Sequence, residues 1–342
     1  MLVLATAFWA FSFPTMKALQ LVQQAHLPGA STWFFAALCV CYRFGIAALL
    51  MLLWCGPTLR RLTWLEVWEG AGLGFCASAG LVFQMDGLAY TSASTSAFLT
   101  QCYCLIIPAG VAVWERRWPS RLVVVSCLLV VAGVAALSGL DLNHLRLGRG
   151  EIETLAASLL FAGQIVWLQR PQFARNNVNH FTVVMFAVVA LVAAPVAWHT
   201  APTAAAWWTA YASPAPLAGL GLLVAFCTLA GYLLMNYWQP GVTATQAGLI
   251  YCVEPVFASL ISLFLPAWCS RLGRIDYANE QVTHRLLAGG GLILVANYLV
   301  QRASLTPPTG VPTAPAPAVG ASSPAAASPG PALPPGPNAD RA

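Results

Sequence analysis

The sequence predicts an all-α integral membrane protein with ten transmembrane helices, arranged as two inverted five-helix repeats. Hydrophobic residues make up 59% of the 342 residues and charged residues only 8%, whereas soluble domains carry roughly 25% charged residues. Apolar runs of the length that crosses a bilayer, about 20 residues, recur along the chain. This composition argues against a soluble enzyme, a nucleic-acid binder and a disulfide scaffold, and the small net charge of +5 favours none of them.

Each apolar run should form a helix, because a bilayer offers no partner for an unpaired backbone polar group. The predicted spans are 2–21, 34–55, 71–90, 94–114, 121–140, 150–168, 180–199, 217–237, 243–266 and 285–302. No basic region precedes the first run and further spans follow it, so we predict a span there rather than a cleaved signal peptide.

The composition changes abruptly after the tenth span. Residues 303–342 contain 11 of the 24 prolines, with alanine, serine and glycine between them. Such a segment cannot bury a core, so we expect a disordered tail without transport chemistry. The predicted organisation is a first repeat at 1–140, a second at 141–302 and the tail at 303–342.

The arginines in the predicted loops indicate which way the chain crosses the membrane. If the N-terminus is cytoplasmic, eight arginines fall in cytoplasmic segments: Arg60, Arg61, Arg116, Arg117, Arg121, Arg170, Arg175 and Arg302. Five fall on the opposite side: Arg146, Arg149, Arg271, Arg274 and Arg285. The bias predicts that both termini are cytoplasmic. No organelle address is visible, so we expect a bacterial inner membrane location.

The fourth and ninth spans carry a similar pattern. In span four, a run of mixed polar and apolar residues ends at Pro108, and in span nine a similar run ends at Pro255. Each run follows a short turn with small hydroxylated residues. Each is the fourth span of a group of five. Because five is odd, a duplicated unit enters the membrane upside down the second time, which supports alternating access in a transporter.

Several ordered motifs make the chain resemble the drug/metabolite transporter superfamily, EamA-like type. The first copy contains Phe8, Trp9, Ser12, Phe13, Lys17, Arg43, Phe44, Ala47, the segments 87–93 and 98–100, Pro108, Glu115, Arg116 and Gly133. The second copy contains Gly150, Glu151 and the segment 254–258. The resemblance implies ten helices, cytoplasmic ends and carrier-type movement of small metabolites or drugs, commonly outward. The second copy departs from it after span nine, where a polar loop at 267–284 replaces the Glu-Arg pair.

Glu254 is the strongest candidate for a functional residue. It lies near the middle of span nine, where a charge costs about 2.5–3.5 kcal/mol on insertion scales. Pro255 follows it and cannot donate a hydrogen bond to the carbonyl of Tyr251. A carboxyl group beside a freed carbonyl predicts a site for a proton, a cation or a cargo donor. A carboxyl group held by a neighbouring helix for packing alone is the alternative.

Three further residues are placed on the same translocation pathway. Pro108 is the counterpart of Pro255 and frees the carbonyl of Cys104, and Gln101 lies about two turns before it. Arg43 lies about nine residues into span two and predicts anion attraction or an ion pair with Glu254 or Asp86. An interfacial anchor is the other interpretation of Arg43.

Trp9, on the same pathway, and five weaker candidates complete the set. Asp86 and Lys17 lie near the outer ends of their spans, where both could simply reach the headgroups. Trp9, Gln164, Trp167 and Asn236 are predicted to line a central cavity, with helix packing as the alternative. Aromatic walls would suit flat or amphipathic cargo, and a cation–π contact would suit an amine.

No catalytic or cofactor motif accompanies these residues. The five histidines are scattered without ligand spacing, and no phosphate-binding loop of the Walker type is present. We expect no cofactor, and as partners a small organic substrate, protons and membrane lipids, with a homodimer left open. The leading hypothesis is a secondary transporter. The alternatives are a nucleotide-sugar or sugar-phosphate exchanger, a membrane-bound lipid-modifying enzyme and a non-transporting scaffold.

Overall fold

The computed structural model describes residues 1–91, 93–116, 118–138 and 148–304, and every regular element in these ranges is a helix. The predicted tail falls outside the described residues, apart from 303 and 304, and so does the loop at 139–147. The ten cysteines are all free thiols, six of them buried and four at intermediate exposure.

Most of the described helices lie along the predicted spans and occur in the same order. Those of the first half are α1 (Leu2–Ala10), α2 (Ser12–His26), α3 (Thr32–Cys55), α4 (Trp64–Tyr90), α5 (Ala93–Thr100), α6 (Tyr103–Glu115) and α7 (Arg121–Ser138). Those of the second half are α8 (Arg149–Leu168), α9 (Val178–Thr200), α10 (Ala206–Thr209), α11 (Pro214–Leu222), α12 (Gly231–Trp238), α13 (Ala244–Tyr251), α14 (Glu254–Ile261), α15 (Leu265–Gly273) and α16 (His284–Ser304). A π-helical segment, Leu223–Ala230, joins α11 to α12.

Seven helical segments of the described chain are long and apolar enough to cross a membrane, so the chain is a multi-pass, all-helical membrane protein. They are Leu2–His26, Thr32–Cys55, Trp64–Tyr90, Arg149–Leu168, Val178–Thr200, Pro214–Gly241 and Ala244–Ile261. Three shorter apolar helices, Tyr103–Trp114, Arg121–Gly133 and Leu287–Leu299, lie within the remaining predicted spans. That these three also cross the membrane stays a prediction.

Two boundaries differ from prediction for identifiable local reasons. Helix α4 begins at Trp64 rather than at 71, because Thr63 and Glu66 form a capping box in which each side chain bonds the other's backbone N–H. Span one is divided at Phe11. Pro14 has no N–H to donate to the carbonyl of Ala10, so α1 ends there.

Spans four and nine are both interrupted, but at positions that only partly match the sequence prediction. Span nine breaks between Tyr251 and Glu254, directly before Pro255. Span four breaks at Gln101 and Cys102, whereas Pro108 lies inside α6. Helix α6 therefore continues through Pro108, unlike the helix before Pro255. The carbonyl of Cys104 that Pro108 leaves free accepts a hydrogen bond from the Cys127 thiol at 3.3 Å, which stabilises a continuous helix.

The polar segment after span nine is not simply a loop. Its first part forms α15, which ends where Arg274 adopts a left-handed conformation with φ of 51°. The chain then folds back on this helix: the Asn279 side chain accepts from the N–H of Ala267 at 2.7 Å. The predicted loop 267–284 therefore contains a short helix and a hydrogen-bonded return.

Close packing at α4 organises the core. Helix α4 packs along both α8 and α9, and α3 packs along α9. Gly70 and Gly74 lie against backbone oxygens of α9, where a side chain would collide. Small residues four apart let membrane helices approach in this way, and the arrangement leaves a cavity between α4, α8 and the broken helices.

Candidate functional site

A cavity lies where the two interrupted spans meet the surrounding helices. Its empty space, counted with its open mouth, is about 550 Å³. The lining residues are Trp9, Ser12, Arg43, Leu81, Gln84, Thr100, Tyr103, Phe161, Gln164, Ile165, Tyr232, Met235, Tyr251 and Glu254. Five of the candidate site residues from the sequence therefore line the same cavity: Trp9, Arg43, Gln164, Tyr251 and Glu254.

Glu254 occupies the first position of α14, immediately after the break in span nine. Its side chain is 8% exposed, and its carboxylate lies 3.5 Å from Nε2 of Gln101, which is at the break in span four. This distance is at the outer limit of a hydrogen bond. The structure therefore brings Gln101, Glu254 and Pro255 together and leaves the carboxylate weakly held.

Arg43 is buried in α3, with 2% of its surface exposed. Its Nε donates to the hydroxyl of Thr228, and its Nη2 donates to the carbonyl of Cys227 at 3.0 Å. Among the described residues no carboxylate lies within the 4.0 Å of an ion pair with it. The predicted pairing of Arg43 with Glu254 or Asp86 is therefore wrong for this conformation, and neutral groups hold the guanidinium.

Aromatic rings form a further part of the cavity lining. The ring of Trp9 lies 5.2 Å from that of Tyr251 and 5.5 Å from that of Tyr232. The Tyr251 hydroxyl donates to Oε1 of Gln239 at 2.9 Å, and Nε2 of Gln239 donates to the carbonyl of Ile165 at 2.8 Å. These bonds fix Tyr251 against α8 and the turn that follows α12, so the aromatic wall is preorganised.

Two residues of the cavity lining, Trp9 and Gln164, have a buried N–H donor without a hydrogen-bond partner in the described part of the chain. The donors are Nε1 of Trp9 and Nε2 of Gln164. A buried donor without a partner is rare in native structures. A cargo acceptor or a water molecule in the cavity would satisfy it.

Three of the weaker candidates lie away from the cavity and bind neighbouring helices instead. Asn236 donates to the hydroxyl of Thr182 at 2.9 Å, and Trp167 donates to the carbonyl of Glu69 at 3.2 Å. Lys17 donates to the carbonyl of Leu88 at 3.0 Å. The prediction that Trp167 and Asn236 line the cavity is wrong, because both are engaged in helix packing, and Pro108 is likewise absent from the described lining.

Asp86 belongs to a separate ionic cluster at the start of α8. It is fully buried and accepts from Nη2 of Arg149 at 2.6 Å, while Nε of Arg149 donates to Glu153 at 2.8 Å. The guanidinium also stacks on the ring of Tyr90, with 4.2 Å from its carbon to the ring centroid. This cluster joins α4 to α8 and gives Oδ2 of Asp86 a charged partner without headgroups or cargo, whereas the buried Oδ1 has no hydrogen-bond partner among the described residues.

Sequence reasoning missed several lining residues. Gln84 donates to the hydroxyl of Thr100 at 3.0 Å across α4 and α5. A glutamine within an apolar span was a signal for Gln84. Tyr103 and Tyr232 carry no such signal, because their chemistry is equally common in packing.

Metal chemistry finds no support in the described side chains, where no group of three His, Cys, Asp or Glu residues could hold an ion. Of the described acidic residues, Glu254 lies in the cavity, and the others lie towards helix ends or in the segment between α15 and α16. The cavity offers one carboxylate, one guanidinium, three tyrosines and several amides and hydroxyls, which suits reversible binding of a small molecule.

Comparisons with known proteins indicate what kind of protein this chain resembles. No family model matches the chain. A protein of Archaeoglobus fulgidus, described as an uncharacterized transporter, is 26% identical over 264 residues, covering 77% of this chain and 76% of that protein. A solved crystal structure described only as that of a protein superposes with a TM-score of 0.56 at 15% identity, over 87% of this chain and 97% of the other. The chain is a multi-pass helical membrane protein that is similar to a transporter.

Proposed function

We propose that the protein is a secondary transporter that moves a small organic molecule across the membrane by alternating access. The observation that carries this proposal is the cavity beside the interrupted helices. Arg43 and Glu254 both line it, and neither has an ion-pair partner in the described chain. Charged groups inside a membrane are costly and mark pathways for ions or substrates. Interrupted helices at the repeat interface are typical of transporter binding sites.

Ten spans in two inverted five-helix repeats, of the EamA-like drug/metabolite type, are the architecture we propose. Spans four and nine support it, because both are interrupted and meet at Gln101 and Glu254. In each, the following span supplies a donor to a carbonyl near the break: Cys127 of α7 bonds Cys104, and Asn297 of α16 bonds Leu249 at 3.0 Å. We place both termini in the cytoplasm and the protein in a bacterial inner membrane, where it would export its cargo from the cell.

Glu254 is the proposed proton site. Among the described residues that line the cavity, Glu254 is the one with a carboxyl group. Its hydrogen bond from Gln101, at 3.5 Å, is weak. A carboxyl group that exchanges its proton with either side of the membrane would couple cargo movement to the proton gradient. Proton coupling thus requires the same residue to face both sides in turn, which the breaks in its helix and in span four would permit.

The nucleotide-sugar alternative is less well supported by the cavity. Such cargo, like a sugar phosphate, is anionic and favours several basic residues, whereas the described lining contains a single one, Arg43. A metal-dependent enzyme acting on lipids would need at least three converging His, Cys, Asp or Glu ligands, which the described residues do not offer. We therefore retain transport of a small organic molecule as the conclusion.

The decisive experiment combines a metabolite comparison with reconstitution. Cells with and without the gene are compared for compounds that accumulate, and the candidates are tested for counterflow in proteoliposomes against protein-free vesicles. We expect at least one compound to exchange faster with the protein than without it. Normal reconstitution with no exchange of any accumulated compound would contradict transport.

A further inference from the structure

The π-helical segment Leu223–Ala230 lies directly behind the guanidinium of Arg43. Within it, Thr228 is fully buried, and its hydroxyl donates to the carbonyl of Leu223, five residues earlier, at 3.0 Å. A threonine in a regular helix bonds a carbonyl three or four residues earlier. The wider turn therefore changes where the hydroxyl is directed.

This hydroxyl has one proton to donate, and the bond to Leu223 uses it. Its free electron pairs accept from Nε of Arg43, and the neighbouring carbonyl of Cys227 accepts from Nη2 at 3.0 Å. Two of the guanidinium's five N–H groups are thus fixed in the wall. Arg43 lines the cavity, so the remaining donors are available to a ligand on that side.

The positive charge of Arg43 has no acidic partner close to it in the described chain. Glu254 lines the same cavity but lies beyond ion-pair distance. The other titratable groups on the cavity wall are the phenols of Tyr103, Tyr232 and Tyr251. A buried guanidinium held by neutral groups attracts an anion, and its planar donors match a carboxylate or a phosphate.

We infer that Thr228 is the positioning residue that orients Arg43 as a receptor for one anionic group of the cargo. This inference rests on the proposed function, since it assigns a charge to the cargo of the same cavity. A single receptor limits the cargo to one anionic group at this position, and the rings of Trp9, Tyr232 and Tyr251 favour a flat apolar body beside it.

The test uses three aromatic probes that differ in the group offered to Arg43: phenylacetate, phenyl phosphate and phenylacetamide. Dissociation constants are measured by calorimetry for the full chain in lipid nanodiscs. We expect at least one anion to bind about tenfold or more tightly than the amide, because a charge-assisted hydrogen bond exceeds a neutral one by that factor or more. The anion that binds more tightly identifies a carboxylate or a phosphate as the recognised group.

The variants separate positioning from folding. Thr228→Val removes the hydroxyl, so the preference for the anion should fall to about one, with the affinity for phenylacetamide unchanged. Thr228→Ser retains the hydroxyl and should keep the preference, and Arg43→Gln should abolish it. A loss of binding of all three probes in Thr228→Val alone would indicate a structural role and overturn the inference.

Other outcomes are equally decisive. Equal binding of acid and amide by the wild type, no binding of any probe, or an unchanged preference in Thr228→Val would overturn the inference. Counterflow of the same probes in proteoliposomes addresses the proposed function separately. Counterflow without an anion preference would leave transport standing, whereas an anion preference that depends on Thr228 without counterflow would leave the receptor standing and remove the transporter.

Discussion

The close contact between α4 and α9 predicts a measurable penalty for a single added methyl group. A Cβ on Gly74 would lie 2.7 Å from the carbonyl oxygen of Met185 and 2.7 Å from Cβ of Val188. Carbon and oxygen in contact are normally about 3.3–3.6 Å apart. The helices of Gly74→Ala must therefore separate or bend, at a cost of about 1–3 kcal/mol for overpacking.

The assay is thermal unfolding of matched detergent preparations, in which we expect Gly74→Ala to lower Tm by about 2–6 °C. Gly110 provides the control, because nothing lies within 4 Å of a Cβ built there. Gly110→Ala should leave Tm unchanged or raise it slightly, since alanine favours helix by up to about 1 kcal/mol. A Tm of Gly74→Ala at or above the wild-type value would refute the close packing of α4 on α9.

Three further perturbations test the site and its surroundings. Glu254→Gln should insert and fold normally but lose pH-driven net uptake in proteoliposomes, while cargo exchange continues because it needs no net proton movement. Identical pH profiles of the variant and the wild type would show that Glu254 serves helix packing only. Asp86→Asn should lower the free energy of unfolding by about 1–3 kcal/mol, because it removes the 2.6 Å ion pair with Arg149, and the exposed Asp276→Asn is the control that should show no change. Deletion of 307–342 should leave transport within about twofold, and complete loss at normal protein levels would give the tail a direct role.

The apolar runs predicted most helices well, because burial in a bilayer fixes both the length and the polarity of a span. Span two was predicted at 34–55 and is Thr32–Cys55, and span seven was predicted at 180–199 and is Val178–Thr200. The start of α4 was missed because its capping box lies outside the apolar run. A local hydrogen bond, rather than hydropathy, decides such an end.

The candidate site was predicted less evenly than the spans. Glu254 and Arg43 were found because a charge inside an apolar run is conspicuous at any distance from its partners. Trp167 and Asn236 were misplaced because a sequence shows that a polar atom needs a partner but not which helix supplies it. The π-helical segment behind Arg43 left no sequence signal, since its residues are as apolar as those of any span.

The placement of charges distinguishes structural groups from those of the cavity. Away from the cavity, buried carboxylates have close partners: Asp86 at 2.6 Å from Arg149, Glu66 at 3.1 Å from His180, and Glu69 at 2.7 Å from Asn176.

The two charged groups of the cavity lack close charged partners. Glu254 has its described partner, Gln101, at 3.5 Å, and Arg43 has no described acid within ion-pair distance. Because leaving charges unpaired in an apolar medium costs several kcal/mol, a fold that pairs its other buried acids would be expected to pair these two. In the transporter that we propose, an anionic group of the cargo would pair with Arg43 and a proton would neutralise Glu254. Release of the cargo and the proton would leave both groups unpaired again, which would favour the next binding event.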